Sequence, residues 1–543
     1  MSRVEQLTEL QSEAVSYGEW QAIAQQIDAE EHLDAWRQHD GSELYDYTRL
    51  RQQLSELRAA RETGNYKKLL YLVRTTFTRN NANMGDPQLY GVAHVGTKLL
   101  IEEYISECER TLQHLSALPL GADELDAVLN TLVQTRKAFG RTALVLSGGS
   151  ILGFMHIGVM RELIEQKLLP RIISGSSAGS IFASILCIHR DEEFDQMWDL
   201  LKIPMNIFER VGEEESLLTH LKRFCTVGTW IDSAYLREMM QGLIGDITFR
   251  EAYNRTGRVL NINVSVAGSH EMPRLLNYLT APNVVVWSAV VCSCSVPLIF
   301  QADSILAKNA ETGELQPWTN RPYIDGSVDN DMPLGRLSEI FNVNHFVACQ
   351  VNPHIAPLFK HDRSATVRRR SLLMTEVEYG LLMLKTARIA PSFASTMLNV
   401  IGQEYWGDIT VVPQLHWRDL GSLFKNPSEG TIADLIDRGR RASWPKLALV
   451  RNHCAVELAL DRTIVDLRAR VIRQTEPSPG WEAGLATVPA SVPPTPHEPR
   501  SPKRVSSAGT PPRRKHGRSR SSSNLRRIEP GRRPKSTRRK SDA

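Results

Sequence analysis

Short apolar runs that lead through a glycine-rich turn into a helical segment restrict the fold of this 543-residue chain more than any other feature. One such unit joins a predicted strand at Thr142–Leu146 to a predicted helix at Phe154–Gln166. A second joins Arg171–Ser174 to a helix-compatible run at Ser180–Ile188. Further strands are predicted at Val259–Val266, His345–Val351 and Asp408–Val412. Because apolar strands that alternate with helices build mostly parallel sheets, this region predicts an α/β domain with helices flanking the sheet.

Helical sequence lies on both sides of this region. Apolar residues spaced by three and four predict helices at Glu19–Ala35, Tyr45–Thr63, Leu99–Leu118, Thr366–Ile389 and Ser443–Arg470. Beyond Pro477 the chain is rich in Pro, Ser, Thr and Arg, a composition that cannot bury enough apolar surface to fold. We therefore expect an N-terminal helical domain (1–140), a catalytic α/β domain (141–352), a C-terminal helical extension (353–476) and a disordered basic tail (477–543).

The net charge is divided unevenly along the chain. The whole chain carries +4, but residues 500–543 hold 16 of its 65 lysines and arginines and only two of its 61 acids, so this stretch carries +14 and residues 1–499 carry −10. An acidic body argues against nucleic-acid binding by the folded part. For the tail, charge alone leaves several alternatives open: an anionic membrane, nucleic acid, an acidic protein, or a plain solvated segment.

The seven cysteines are scattered and form neither a CxxC pair nor a cluster with histidine. This pattern favours reduced thiols in an intracellular protein and argues against a structural zinc site. The N-terminus lacks the apolar core of a signal peptide. The longest uncharged run, Val284–Phe300, contains three serines and a proline, so it predicts a buried segment instead of a transmembrane helix. We expect a soluble or peripherally membrane-associated protein.

The strongest chemical signal is the pentapeptide Gly175-Ser176-Ser177-Ala178-Gly179. It is a G-x-S-x-G motif between a predicted strand and a predicted helix, which is the context that a nucleophile elbow requires. Small flanking residues allow a sharp turn, and the helix N-terminus behind the serine favours developing negative charge. This context predicts that Ser177 is a nucleophile.

An earlier turn, Gly148-Gly149-Ser150, follows the first predicted strand. A dinucleotide fingerprint would need G-x-G-x-x-G, and Ser150 replaces its middle glycine. An oxyanion hole needs only two well-aimed N–H groups, which this turn can supply. The turn is therefore interpreted as an oxyanion hole for the serine that follows 28 residues after Gly149.

A base for the serine is suggested by Asp325-Gly326-Ser327. His345, inside a predicted strand, and His354, just past it, have no distinctive setting for a Ser-His-Asp triad. An Asp-Gly pair alone is typical of a turn, but 148 residues after an elbow serine the combination is no longer generic.

These motifs together resemble the patatin-like phospholipase family, whose members use a Ser–Asp dyad. Further stretches are similar to triacylglycerol lipases of that family with an N-terminal helical domain, so the resemblance covers roughly residues 15–470. These stretches are Leu72–Thr75, Arg79–Asn80, Leu89–Tyr90, Gly96–Lys98, Leu100–Glu102, Asn342–Phe346, Gln350–His354, Gly407–Thr410 and Ser443–Pro445.

The resemblance implies a role for each matching residue. Ser177 would accept the acyl group, Asp325 would take its proton and later activate water, and the N–H groups around Gly148–Ser150 would hold the oxyanion. No metal or organic cofactor is implied. The chain departs from the family where a third glycine and a basic residue are common, because it has Ser150 and Leu152 there.

The resemblance predicts a serine hydrolase that cleaves fatty acids from acylglycerols, with a lipid as its substrate. Phospholipase or lysophospholipase/acyltransferase activity on the same dyad is the alternative, although none of the 15 histidines belongs to an H-x-x-x-x-D motif. A non-catalytic scaffold that binds a membrane or nucleic acid through its tail is an alternative of another class.

A histidine, two cysteines and an arginine cluster lie outside these motifs. His156 is predicted to be a core histidine, and Cys292 and Cys294 are predicted to be buried packing residues. Arg368–Arg370 precedes an apolar stripe that could lie on a peripheral membrane or lipid-droplet surface, or could belong to an ordinary packed helix.

Overall fold

The computed structural model describes residues 2–200, Arg223, Thr226, 229–267, 273–297, 299–326, 331–353, 406–423 and 425–475. Its α-helices, numbered α1 to α17, are Arg3–Glu13, Tyr17–Glu30, Leu33–Gln38, Tyr47–Glu62, Tyr66–Thr76, Leu99–Ala117, Ala122–Phe139, Phe154–Glu165, Ala178–Ile188, Phe194–Leu200, Ser233–Ile244, Phe249–Thr256, Val286–Cys294, Leu334–Phe341, Trp417–Leu420, Glu429–Ser443 and Leu447–Thr475. Its strands, β1 to β9, are Arg141–Leu146, Ile172–Gly175, Val259–Val266, Arg274–Leu276, Leu306–Lys308, Leu315–Pro317, Tyr323–Asp325, Val343–Cys349 and Ile409–Val411.

Seven of the described strands form one sheet in the order β4-β3-β2-β1-β8-β9, with β7 also paired to β3. Strands β3, β2, β1, β8 and β9 run parallel, whereas β4 and β7 are antiparallel to β3. Every residue of β2 and β3 is buried, as expected for strands covered by helices on both faces. The prediction of a mostly parallel sheet with flanking helices is confirmed.

The five predicted strands lie within two residues of observed ones. The predicted helix Glu19–Ala35 is wrong in its extent, because His32 adopts φ +57° and separates α2 from α3. A left-handed residue cannot continue a right-handed helix. The predicted helix Thr366–Ile389 and the basic tail fall outside the described residues.

The last helix, α17, belongs to two hydrophobic cores. Its first turns place Leu447 and Val450 in the core around the sheet. Further along, Leu460 and Leu467 pack among the helices of residues 45–139. The C-terminal extension therefore connects the N-terminal helices to the sheet domain.

A buried carboxylate reinforces this connection. Glu457 of α17 forms ion pairs of 2.8 Å with both Arg79 and Arg136, and it also accepts the main-chain N–H of Thr142 in β1 at 3.0 Å. A buried carboxylate needs such partners, because its desolvation is otherwise costly. The cluster ties the helical region, β1 and α17 to one point.

Within the described ranges, no helix is both long and apolar enough to cross a lipid bilayer.

Candidate active site

Ser177 lies at the junction of β2 and α9, on a strained turn. Its φ of +50° and ψ of −126° are unusual for a residue with a side chain. The flanking glycines are required by close packing: a Cβ on Gly175 would overlap the main chain of Gly179, and a Cβ on Gly179 would overlap the carbonyl of Leu146. The sequence thus places a serine where only small neighbours allow the turn to form.

Asp325 lies at the end of β7, directly beyond the carboxyl end of β2. Ile262 of β3 pairs with Gly175 of β2 on one edge and with β4 on the other. Two residues further along, Val264 pairs with β4 and with Asp325. A strand residue can pair with one neighbouring strand on each side. Because β4 pairs with one side of β3, β7 must pair with the other side, beyond the point where β2 ends. Asp325 and the turn after Gly175 therefore lie next to each other at the carboxyl end of β2.

A short chain of hydrogen bonds crosses between these two segments. The N–H of Ser177 donates to the hydroxyl of Ser293 in α13 at 3.0 Å, and that hydroxyl donates to the carbonyl of Asn263 in β3 at 2.8 Å. The side chain of Asn263 then donates to the carbonyl of Gly326 at 3.3 Å. The main chain on which each predicted catalytic side chain sits is therefore fixed to the same point of β3.

The glycine turn after β1 lies against the elbow. A Cβ on Gly148 would be 3.3 Å from the Cβ of Ser177. Gly149 has φ +156° and packs so tightly that a Cβ there would come within 2.9 Å of the carbonyl oxygen of Val351. Ser150 also has a positive φ, of +55°, and its hydroxyl donates to the carbonyl of Leu423. The turn is thus held in an unusual conformation beside the serine.

The three N–H groups of the predicted oxyanion turn are not equivalent. Gly148 donates its N–H to Oδ1 of Asp331 at 3.0 Å. Among the described residues, no hydrogen bond uses the N–H of Gly149 or of Ser150. Gly148 therefore already has an acceptor, whereas the described part of the chain provides none for the other two N–H groups.

Asp331 is a buried carboxyl group that sequence reasoning missed. Its pKa is raised to about 7, mainly by burial and also by the charge of Asp325, while hydrogen bonds from Gly148 and Asn352 act in the opposite direction. Its only sequence signal is its position six residues after Asp325, close to a proline. Ser293 was missed as well, although the three serines in the run Val284–Phe300 are unusual for a purely apolar buried helix.

The other singled-out residues have structural surroundings. His156 is fully buried, its Nε2 lies 2.9 Å from the carbonyl of Ser147, and burial lowers its pKa to about 4. Cys292 and Cys294 are buried, and burial raises the pKa of both thiols. His345 is buried and contacts His453, with 3.0 Å between the ring nitrogens. Ser327, His354 and Arg368–Arg370 lie outside the described residues.

In the part of the chain that the structure describes, no group of three or more His, Cys, Asp and Glu side chains is arranged to hold a metal ion.

A mostly parallel sheet covered by helices, with a serine on a strained strand-to-helix turn, defines the class of α/β proteins that carry a nucleophile elbow. Comparison with known families narrows this class. Residues 144–337 match the family described as patatin-like phospholipase, and residues 1–137 match a domain of unknown function, DUF3336.

Curated relatives extend the similarity over most of the chain. Triacylglycerol lipase 4 of Saccharomyces cerevisiae is 42% identical over 84% of this chain and 53% of its own length, and triacylglycerol lipase 5 of that yeast is 39% identical over 86% and 66%. Triacylglycerol lipase ptl3 of Schizosaccharomyces pombe is 39% identical over 82% of this chain and 94% of its own. The chain belongs to the patatin-like phospholipase family, although it spans only about half to two thirds of the two Saccharomyces proteins.

Proposed function

We propose that this protein is a serine hydrolase that releases fatty acids from acylglycerols through a Ser177–Asp325 dyad. The observation that carries this proposal is the position of the two residues beside each other at the carboxyl end of β2. Ser177 lies on a turn that only small neighbours permit, and Asp325 pairs with β3 on the same side as β2, two residues further along. An aspartate beside an elbow serine can act as its base without a histidine.

The reaction then has two halves. Asp325 accepts the proton of the Ser177 hydroxyl while the oxygen attacks the ester carbonyl, and the proton passes to the departing alcohol as the acyl-enzyme forms. In the second half, Asp325 takes a proton from water, the hydroxide attacks the acyl-enzyme, and the proton returns to Ser177 as the fatty acid leaves. Protons and charges balance without a cofactor.

The glycine turn supplies the electrostatic part of this mechanism. Gly148 donates to Asp331, so the N–H groups of Gly149 and Ser150 are the donors for the oxyanion in this proposal. Donors held in place before the reaction stabilise the negative charge that develops on the carbonyl oxygen. The helix dipole of α9, which begins directly after Ser177, favours negative charge at the same place.

The names of the relatives support an acylglycerol as the substrate. One feature of this chain agrees with a neutral lipid. Leu152, where the family often has a basic residue, is fully buried, so that position offers no cation to a phosphate head group.

A comparison of two lipids tests the substrate class. We expect the wild-type protein to release oleate from emulsified triolein faster than from dioleoyl phosphatidylcholine vesicles, and the Ser177→Ala variant to release none above background. Fatty-acid release by titration is the measurement. Faster release from phosphatidylcholine would replace the acylglycerol assignment by phospholipase activity, and no release from either lipid would favour a non-catalytic scaffold.

A further inference from the structure

One buried aspartate contacts three separate segments around the site. Oδ1 of Asp331 accepts the N–H of Gly148 at 3.0 Å, and Oδ2 accepts the side-chain amide of Asn352 at 2.7 Å. The main-chain carbonyl of Asp331 accepts the hydroxyl of Ser176 at 2.6 Å. One residue thus holds the glycine turn, the residue before the serine and the segment after β8 in a fixed arrangement.

These contacts determine where the N–H groups of the turn point. The bond from Gly148 to Asp331 fixes the peptide plane between Ser147 and Gly148. The hydroxyl of Ser147 accepts the N–H of Val351 and donates to the carbonyl of Gly148, both at 2.9 Å. Because a trans peptide directs its N–H opposite to its carbonyl, the N–H of Gly149 must point away from Ser147.

We propose that Asp331 is a positioning residue whose carboxylate holds the glycine turn so that the N–H groups of Gly149 and Ser150 face the carbonyl of an ester at Ser177. This inference rests on the proposed hydrolase function. Asp331 takes no part in proton transfer. It acts through the turn, and its loss affects the rate of the chemical steps more than the binding of substrate.

The charge of Asp331 makes this role depend on pH. Burial raises its pKa to about 7, with Asp325 of β7 as the facing charge. Burial keeps His156 of α8, behind the turn, and Cys294 of α13 neutral, because it lowers the pKa of His156 to about 4 and raises that of Cys294. An ionised carboxylate accepts both hydrogen bonds, whereas the protonated form gives part of one oxygen to its own proton. The turn is therefore held most firmly above about pH 7.

Two variants test the inference with the full chain and a soluble ester, p-nitrophenyl butyrate. In Asp331→Ala both acceptors are lost, and we expect kcat to fall about a hundred-fold with KM changed less than about threefold. In Asp331→Asn an oxygen remains for Gly148 but nothing ionises. We expect this variant to keep kcat within about tenfold of wild type, and the acidic limb of its kcat–pH profile to move to lower pH.

The controls separate this inference from the hydrolase proposal. Asp246→Ala removes an exposed carboxylate that accepts the indole N–H of Trp287 at 2.8 Å, and we expect it to leave kcat unchanged. Wild-type kcat in Asp331→Ala, or an unmoved acidic limb in Asp331→Asn, would overturn the positioning role while the hydrolase stands. If Asp331→Ala does not fold, the pH profile of Asp331→Asn decides alone. Equal rates for wild type and Ser177→Ala would overturn both proposals.

Discussion

The Ser177→Ala variant is expected to lose about ten-thousand-fold or more in kcat on p-nitrophenyl butyrate, since the covalent route disappears with the hydroxyl. The fold should be unaffected, because alanine is smaller than serine and the turn already accommodates a side chain at φ +50°. Steady-state kinetics beside a thermal melt is the measurement, and a melting temperature equal to wild type shows that the loss is chemical.

The Asp325→Asn variant should lose about a thousand-fold in kcat on the same ester, because the amide cannot take the proton of Ser177. The double variant should be no worse than Ser177→Ala, since residues that act as a unit are not additive. Asp434→Asn in α16, which removes the charge of an aspartate whose side chain is 59% exposed, is the matched control and should equal wild type. If Asp325→Asn keeps more than about a tenth of the activity, another group is the base.

A Gly158→Ala substitution should destabilise the protein by about 3 kcal/mol, although Gly158 belongs neither to the turn that carries Ser177 nor to the glycine turn after β1. Its Cβ would overlap the main-chain carbonyl of Ile436 in α16, and a Cβ on Gly439 of α16 would likewise overlap the carbonyl of Met155 in α8. The two helices thus approach with their backbones in contact. Neither backbone can move aside cheaply. Because the unfolding entropy of a folded unit this large, Met1–Glu476, is high, we expect the apparent melting temperature to fall by roughly 3 °C.

A glycine-to-alanine change in the partner helix, α16, serves as a control for helix propensity. A Cβ on Gly430 would meet no atom within 4 Å, so Gly430→Ala should leave stability unchanged or raise it by up to about 1 kcal/mol. A Gly158→Ala protein as stable as the Gly430→Ala protein would contradict the close approach of α8 and α16. A lower melting temperature with full activity below it would show that this contact supports the fold and not the chemistry.

The parallel strands could be predicted from the sequence because each is marked by its own residues and by those directly beside it. The buried strands are continuous apolar runs, and each glycine turn stands between a strand and a helix. The short strands β4 and β7 escaped prediction since three residues carry no pattern of their own. Their strand conformation comes from pairing with β3, which lies elsewhere in the chain.

The candidate site also contains features that depend on neighbouring residues and features that depend on residues far apart in the sequence. The strained turn that carries Ser177 could be predicted, because its neighbours must be small for the turn to form. The partners that orient the site could not be predicted: Ser293 lies 116 residues from Ser177, and Asp331 lies 183 residues from Gly148. A buried carboxylate that accepts a main-chain N–H leaves no trace in local spacing. The helix α17 was likewise predictable as a helix, but not as a member of two cores.

The most direct test of the central claim is to find which residue becomes covalently modified. Wild-type protein treated with a long-chain alkyl fluorophosphonate is digested, and the adduct is located by tandem mass spectrometry. We predict one adduct, on Ser177, and much slower labelling in Asp325→Asn. The neighbouring Ser176 and Ser180 donate their hydroxyls to the carbonyls of Asp331 and Ser177, and both should stay unmodified. An adduct on either of them, or none at all, would contradict the assignment of Ser177 as the nucleophile.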